Sequence, residues 1–291
     1  MSYRSIFRPD LFADRVVVVT GGGSGIGRCI AHELASLGAQ VVLASRTLEK
    51  LEAVAAEIRE DGGKADAVRC NIREPDDVGA LFDTVVERHG RVHGLVNNGG
   101  GQFVSPAEMI SDKGWKAVVE TNLTGTFTMC REAKLRAMEE HGGAIVNIVA
   151  DMWNGMPGMA HSGAARAGVV NLTKTLAVEW SSARIRVNAV APGVILSSGF
   201  HNYPEPVQAM LAEVPKTVPL KRFGTESEVS AAVAFLLSDA ASFITGETLR
   251  VDGAQSLYRH VFELAPDRPT SAAFDGFHRR VDAPAHLLTE E

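Results

Sequence analysis

Residues 15–28 read R-V-V-V-V-T-G-G-G-S-G-I-G-R, and this stretch decides the fold. The four valines at 16–19 form a β-branched run that is typical of a strand buried on both faces. The glycines that follow allow a tight turn and let the backbone approach a pyrophosphate without a Cβ in the way. The next helix would point its free N–H groups and the positive end of its dipole at that anion. The order of strand, glycine loop and helix therefore predicts a dinucleotide site. The residues predicted to contact the cofactor in this loop are Gly21, Ser24, Gly25, Ile26 and Gly27.

Composition limits the possible classes of protein. The chain has 291 residues, 45% of them hydrophobic and 22% charged, as expected of one α/β domain with a large core. The net charge of −6 makes nucleic acid or an anionic membrane an unfavourable main partner. Cys29, Cys70 and Cys130 are odd in number and lack metal-ligand spacing, which predicts reduced thiols and no metal site. Because no apolar leader or membrane-spanning run is visible, we expect a cytoplasmic location.

The end of the second predicted strand, 40–44, bears on the choice of cofactor. An acidic residue at this position in a dinucleotide-binding unit binds the ribose hydroxyls and repels a 2′-phosphate. Ser45 and Arg46 instead offer a hydroxyl and a guanidinium, which favours NADP(H) over NAD(H). Alternatively, Arg46 only begins a solvated helix, since further charged residues follow it.

Two more strand ends complete the predicted cofactor site. Asn71 and Ile72 follow the third strand, 65–70, where an adenine ring would lie in a doubly wound sheet. The fourth strand, 92–96, ends in N-N-G-G-G-Q at 97–102. Glycines and amides at the carboxyl end of a strand suit a close backbone approach to a cofactor.

Four motifs in this order resemble those of the short-chain dehydrogenase/reductase family. They are T-G-G-G-S-G-I-G at 20–27, N-N-G-G at 97–100, Asn122 in E-T-N-L-T-G-T-F, and Pro192-Gly193 after I-R-V-N-A-V-A. The resemblance covers residues 11–258. It implies a single-domain α/β Rossmann fold, with a doubly wound seven-stranded parallel sheet and helices on both faces, and commonly a homotetramer. The further cofactor contacts that it implies are Asn98 and Gly99 beside the adenosine ribose and Ile195 at the nicotinamide carboxamide, together with Gly100, Pro192 and Gly193.

The catalytic positions depart from the family pattern. The family usually places Ser at the end of the fifth strand and Tyr-x-x-x-Lys on the following helix. Tyr gives its proton to a carbonyl oxygen, while Lys lowers the pKa of Tyr and binds the nicotinamide ribose. Here the serine position falls at Val149 or Ala150, and Ser162 and Arg166 occupy the Tyr and Lys positions in H-S-G-A-A-R-A-G. The usual acid is therefore absent.

This departure favours one kind of reduction. Carbonyl reduction makes an alkoxide, which gains about 10²–10⁴ in rate from an acid at the oxygen. Serine is a poor acid, and arginine stays protonated. Hydride delivery to the β-carbon of an α,β-unsaturated thioester instead gives a delocalised enolate, which hydrogen bonds can hold until water or a modest acid protonates carbon. We therefore expect reduction of an activated C=C bond.

Three stretches narrow the resemblance further. N-N-G-G-G-Q-F, T-N-L-T-G-T-F and H-S-G-A-A-R-A-G are similar to the peroxisomal trans-2-enoyl-CoA reductases and, more distantly, to the 2,4-dienoyl-CoA reductases. This similarity implies an NADPH-dependent enzyme acting on an acyl-CoA thioester, with Arg166 binding the nicotinamide ribose in place of lysine. The candidates to position water or stabilise the enolate are Asn122, Asp151, His161 and Ser162. Two of them also have a plainer interpretation, since His161 could cap or fill the core and Asn122 could be a satisfied buried amide.

The rest of the chain leaves alternatives open. Residues 196–221 predict a lid over the site, or else a disordered connection, and Phe200, His201 and Tyr203 could face substrate there. Residues 259–291 predict a tail packed on the surface or on a neighbouring subunit. Two other functions remain possible. One is an alcohol or aldehyde dehydrogenase of terpenoid or fatty-chain catabolism, with His161 or Tyr203 as its acid. The other is a non-catalytic NADP-binding scaffold or sensor.

Overall fold

The chain alternates strands and helices in a computed structural model, which describes residues 2–202, 204–258, 264 and 272–281. Seven strands form one parallel sheet in the order β3-β2-β1-β4-β5-β6-β9, while β7 and β8 pair separately. The doubly wound seven-stranded sheet predicted from the sequence is confirmed. The strands are Val16–Thr20 (β1), Gln40–Ser45 (β2), Lys64–Arg69 (β3), Gly94–Asn97 (β4), Gly143–Ile148 (β5), Ile185–Pro192 (β6), Ile195–Leu196 (β7), Gly224–Thr225 (β8) and Thr248–Val251 (β9).

The helices cover both faces of this sheet. Two π-helical segments, Glu120–Thr124 and Lys134–Met138, follow α4 and α5 without a break in the chain direction. The α-helices are Gly25–Ser36 (α1), Leu48–Glu60 (α2), Pro75–His89 (α3), Asp112–Val119 (α4), Gly125–Ala133 (α5), Ala160–Glu179 (α6), Glu205–Ala212 (α7), Val214–Thr217 (α8) and Glu226–Leu237 (α9).

The first strand shows why both faces are covered. Val17 and Val19 pack into a core with α1, α2 and α9, whereas Val16 and Val18 pack into a second core with α3, α5 and α6. A continuous valine run supplies apolar side chains to both sides, because successive side chains in a strand point to opposite faces. β1 pairs with both β2 and β4, so the strand order reverses there and a crevice opens at the carboxyl ends of these strands.

The structure defines two regions that the sequence leaves open, and the contacts of residues 272–281 agree with a tail packed on the surface. The segment expected to be irregular, 196–221, contains the short helices α7 and α8. Residues 272–281, part of the expected tail, pack on this chain itself: Thr225 Oγ1 donates a hydrogen bond to Phe274 O over 2.6 Å, and Arg28 donates to Arg279 O over 3.0 Å. Within the described ranges, no helix combines the length and apolar character needed to cross a lipid bilayer.

Candidate active site

The glycine loop between β1 and α1 is closely packed on one side and open on the other. A Cβ on Gly27 would stand 2.3 Å from Gly21 O, and Gly21 itself has φ +66°, so neither position accepts a side chain. At Gly25, which has φ +54°, the nearest atoms to a Cβ would be 3.8 Å away. The loop therefore presents bare backbone and free space at the start of α1, which fits a diphosphate.

The end of β4 is bonded directly to this loop. Thr20 Oγ1 accepts hydrogen bonds from Asn98 N over 3.0 Å and from Gly99 N over 2.8 Å. The side-chain amide of Asn98 donates to Thr20 O over 3.1 Å. Asn98 thus holds the two strand ends together, and the glycine that follows it leaves room for the cofactor expected there.

A cavity of about 160 Å³ lies where the sequence predicts the adenosine. It brings together Ser45, Arg46, Asn71 and Ile72, as expected, and adds Arg73. Among the described residues that line it, two are arginines and none carries a carboxylate. The cavity is therefore electropositive at the position that discriminates a ribose hydroxyl from a 2′-phosphate.

Arg166, on α6, lies behind the loop that follows β4. Its Nη1 donates a hydrogen bond of 2.6 Å to Ile148 O, and Nη2 is 2.6 Å from the point where a Cβ on Gly100 would stand. Burial lowers the pKa of Arg166 to about 10, so the side chain is still a cation at neutral pH. Its Nε is buried and finds no hydrogen-bond partner in the described part of the chain. A buried donor of this kind needs an acceptor, and a ribose hydroxyl of a nicotinamide dinucleotide would fit.

Asn122 secures the same loop from the π-helical segment. It is fully buried, and its amide donates to Gly101 O over 2.8 Å while accepting from Gly101 N over 3.0 Å. Both ends of the amide are therefore used on Gly101. Asn122 acts in this structure as a residue that positions the backbone beside Arg166.

A second cavity, of about 420 Å³, adjoins the glycine loop. Its wall contains Asp151, whose backbone N–H donates to Pro192 O over 3.1 Å. Burial, together with the charge of Asp252, raises the pKa of the Asp151 carboxyl. Asp151 is thus a candidate acid that the fold brings to the cavity. The predicted cofactor contacts Ile26, Pro192, Gly193 and Ile195 line the same cavity, together with Met156, Met159, Val207, Met210 and Leu211.

Ser162 does not line this cavity, but it contacts a side chain that does. The hydroxyl is fully buried and donates a hydrogen bond of 2.7 Å to Gln102 Oε1. Gln102 lines the cavity, although the sequence analysis assigns it no catalytic role. This hydrogen bond fixes the orientation of the Gln102 side-chain amide at the cavity wall. The sequence signal that could have identified Gln102 is its position directly after the glycine run at the end of β4.

His161 does not join these groups. Its ring is fully buried and packs edge-on against Phe103, with the ring centroids 4.4 Å apart. Ser162 N donates to His161 Nδ1 over 2.7 Å, and burial lowers the pKa of the imidazole, which is therefore neutral. His161 is not among the described residues that line the larger cavity. Its surroundings favour the core interpretation.

The tyrosine and lysine that are usual in this fold are absent from the described wall of the larger cavity. Of the three candidates in the predicted lid, Phe200 is buried and packs edge-on against Phe223. Tyr203 and the side chain of His201 lie outside the described residues.

A doubly wound sheet with a glycine loop at its switch point, beside an apolar cavity, defines the class of nicotinamide-dependent oxidoreductases. The family model described as enoyl-(acyl carrier protein) reductase, in the short-chain dehydrogenase group, matches residues 21–254. The chain therefore belongs to the short-chain dehydrogenase/reductase family.

Individual relatives differ in the reactions that their names state. A probable 2,4-dienoyl-CoA reductase of Bacillus subtilis is 39% identical over 252 residues, which are 85% of this chain and 99% of that protein. A 3-oxoacyl-[acyl-carrier-protein] reductase of Staphylococcus epidermidis is 38% identical, over 82% of this chain and 98% of that protein. Among solved structures, a citronellol catabolism dehydrogenase of Pseudomonas aeruginosa is 53% identical with a TM-score of 0.79, covering 87% of this chain and 100% of that one. The similarity to dienoyl-CoA reductases supports an enoyl-CoA reductase-like oxidoreductase.

Proposed function

We propose that this protein uses NADPH to reduce the activated C=C bond of a 2-enoyl thioester, such as an acyl-CoA. The observation that carries the proposal is the wall of the 420 Å³ cavity. Its described part offers the carboxyl of Asp151 and the side-chain amides of Gln102 and Gln255, but no phenol with a lysine beside it. An enolate needs hydrogen-bond donors at its oxygen and a modest acid for carbon, whereas an alkoxide needs a strong proton donor.

Arg166, Gln102 and Asp151 would each have a different role in this reduction. When bound, the nicotinamide supplies the hydride that reaches the β-carbon. Arg166 would offer its positive charge and its Nε–H, which has no partner among the described residues, to the nicotinamide ribose. Gln102, oriented by Ser162, would lie beside the thioester in this cavity and contribute a polar side chain to the surroundings of its oxygen. Asp151, whose pKa is raised, would hold the proton for the α-carbon directly or through a water.

The preference for NADPH is supported by the adenosine cavity. Arg46 and Arg73 line it, and its described wall lacks the carboxylate that would repel a 2′-phosphate. Guanidinium groups bind phosphate through paired, charge-assisted hydrogen bonds.

The test compares two classes of electrophile. Loss of NADPH absorbance would be followed with trans-2-enoyl-CoA and 2,4-dienoyl-CoA esters, and in parallel with 3-oxoacyl-CoA esters, aldehydes and ketones. We expect multiple turnovers with the unsaturated thioesters only. Turnover of the carbonyl compounds alone would refute the proposal. Multiple turnovers with any of these substrates would exclude a purely non-catalytic scaffold.

A second candidate is a dehydrogenase of terpenoid catabolism. The similarity to the Pseudomonas citronellol catabolism dehydrogenase favours it, since 53% identity extends over that whole chain. The apolar wall of the larger cavity, with three methionines, would also accept a branched terpenoid chain. Citronellol with NADP⁺ or NAD⁺ tests this candidate. Alcohol-dependent cofactor reduction that a Tyr203→Phe variant loses would support it over the thioester reductase.

A further inference from the structure

An acidic side chain faces the open part of the glycine loop. Glu226, the first residue of α9, is 3% exposed. Its Oε1 lies 3.8 Å from the point where a Cβ on Gly25 would stand, and Ser198 Oγ lies 3.8 Å from the same point. A buried carboxyl and a hydroxyl therefore border the space in front of Gly25, where the loop leaves room for the cofactor diphosphate.

The groups around Glu226 do not compensate a negative charge there. Burial, with a smaller contribution from Asp275 of the tail, raises the pKa of its carboxyl to about 7. Arg28 of α1 and Arg280 of the tail lower it, but less than burial raises it. The Cys29 thiol, which also faces Glu226 from α1, has its own pKa raised by burial and is therefore neutral.

A bound diphosphate would favour the neutral form of the Glu226 carboxyl over the ionised form. Two phosphate charges near a carboxylate are repulsive, and solvent screens this repulsion poorly because the Glu226 side chain is buried. A neutral carboxyl carries no such cost and can donate its O–H to a phosphate oxygen. The geometry thus makes the protonated form the one that is compatible with a bound dinucleotide.

We propose that Glu226 is a further cofactor-binding residue, which meets the dinucleotide diphosphate as a neutral carboxyl, so that cofactor binding takes up a proton. The proposal concerns only the cofactor site. It holds whether the second substrate is an unsaturated thioester or an alcohol, and its test does not depend on turnover.

The first experiment measures the Kd of NADPH from its fluorescence at several pH values between 6 and 9. For the wild type we expect the Kd to rise with pH above neutrality, by about tenfold between pH 7 and pH 8.5, as one proton must be taken up. Glu226→Gln keeps a donor but cannot ionise, so its Kd should stay near the low-pH wild-type value throughout. Glu87→Gln removes an exposed carboxylate on α3 and should follow the wild type.

The second experiment measures proton uptake directly, by titration calorimetry in buffers of different ionisation enthalpy at pH 7.5. NADH serves as an additional probe, because it lacks the 2′-phosphate and its own titration. We expect wild-type protein to take up a fraction of a proton with both cofactors, and Glu226→Gln to take up less. Identical pH profiles for wild type and Glu226→Gln would overturn the proposal. If that variant does not fold, absence of proton uptake by the wild type with NADH overturns it equally.

Discussion

Single side chains near the larger cavity decide which reaction is possible. Sequence patterns alone identified Asp151 and Arg166 as candidates, because the family motif fixes their positions relative to the fifth strand. Whether a side chain reaches a cavity depends on its rotamer and neighbours, which no motif encodes. His161 turns into the core against Phe103, while Ser162 acts on Gln102. A hydrogen bond across 60 positions of chain has no local signal.

Asp151→Asn should lower kcat by about 10², the usual contribution of a general acid, without changing the Kd of NADPH. The carboxyl has a raised pKa, so the acid form persists to a higher pH than in an ordinary aspartate, and kcat should fall as pH rises through that pKa. The Asp151→Asn variant should not show this fall of kcat with rising pH. Asp76→Asn, an exposed carboxylate on α3, is the matched control. An unchanged profile in Asp151→Asn would remove the proposed acid role.

Arg46→Ala should raise the Kd of NADPH by about ten- to a hundredfold, since a charge-assisted hydrogen bond to the 2′-phosphate would be lost. The Kd of NADH should change little, because NADH carries no phosphate there. Fluorescence titration with both cofactors measures the difference, and the same titration of Arg59→Ala, on the far end of α2, gives the control. Equal losses for the two cofactors would mean that Arg46 only stabilises the loop.

At the level of elements, local sequence patterns were sufficient for the order and type of most strands and helices. α9 begins at Glu226 because Thr225 and Glu228 form a capping box, a start signal that is local in the sequence. Two features had no such signal. The continuous helical period from 112 onward conceals the π-helical turn at Glu120–Thr124 that places Asn122, and α7 and α8 lie in a segment with several prolines.

The loop after β4 offers a pair of adjacent glycines for a test of backbone placement. A Cβ on Gly100 would stand 2.6 Å from both Arg166 Nη2 and Asn122 Oδ1, whereas a Cβ on Gly101 would meet nothing within 4 Å. Gly100→Ala should therefore displace Arg166 and lower kcat/KM by about 10², the typical result of a shift near 1 Å. Gly101→Ala should stay close to wild type in steady-state assays and in melting temperature. Comparable losses in the two variants would show that the loop tolerates no side chain at all.

Across the whole molecule, the contacts between distant segments were the least predictable from sequence. Glu226 lies next to Gly25 because α9 packs on α1. The tail contacts the start of α9, where Thr225 donates a hydrogen bond to Phe274 O. Such contacts join residues about 50 to 200 positions apart, so the local hydrophobic periodicity does not predict them. Phe243, before the edge strand β9, is fully exposed, which suits the predicted homotetramer; that assembly stays a prediction.

The buried carboxyl of Glu226 should also make the stability of the cofactor-free protein depend on pH. Its folded pKa, about 7, exceeds the usual value of 4.5, so between these values the folded chain binds a proton that the unfolded chain does not. The free energy of unfolding therefore falls as pH rises through this window, and the loss does not increase further above the folded pKa. Glu226→Gln should gain about 2 kcal/mol over wild type on going from pH 5.5 to pH 8.5. Urea unfolding of both proteins at the two pH values measures this difference, with Glu87→Gln as the control. A gain that is equal at both pH values would mean that Glu226 is already ionised in the folded protein.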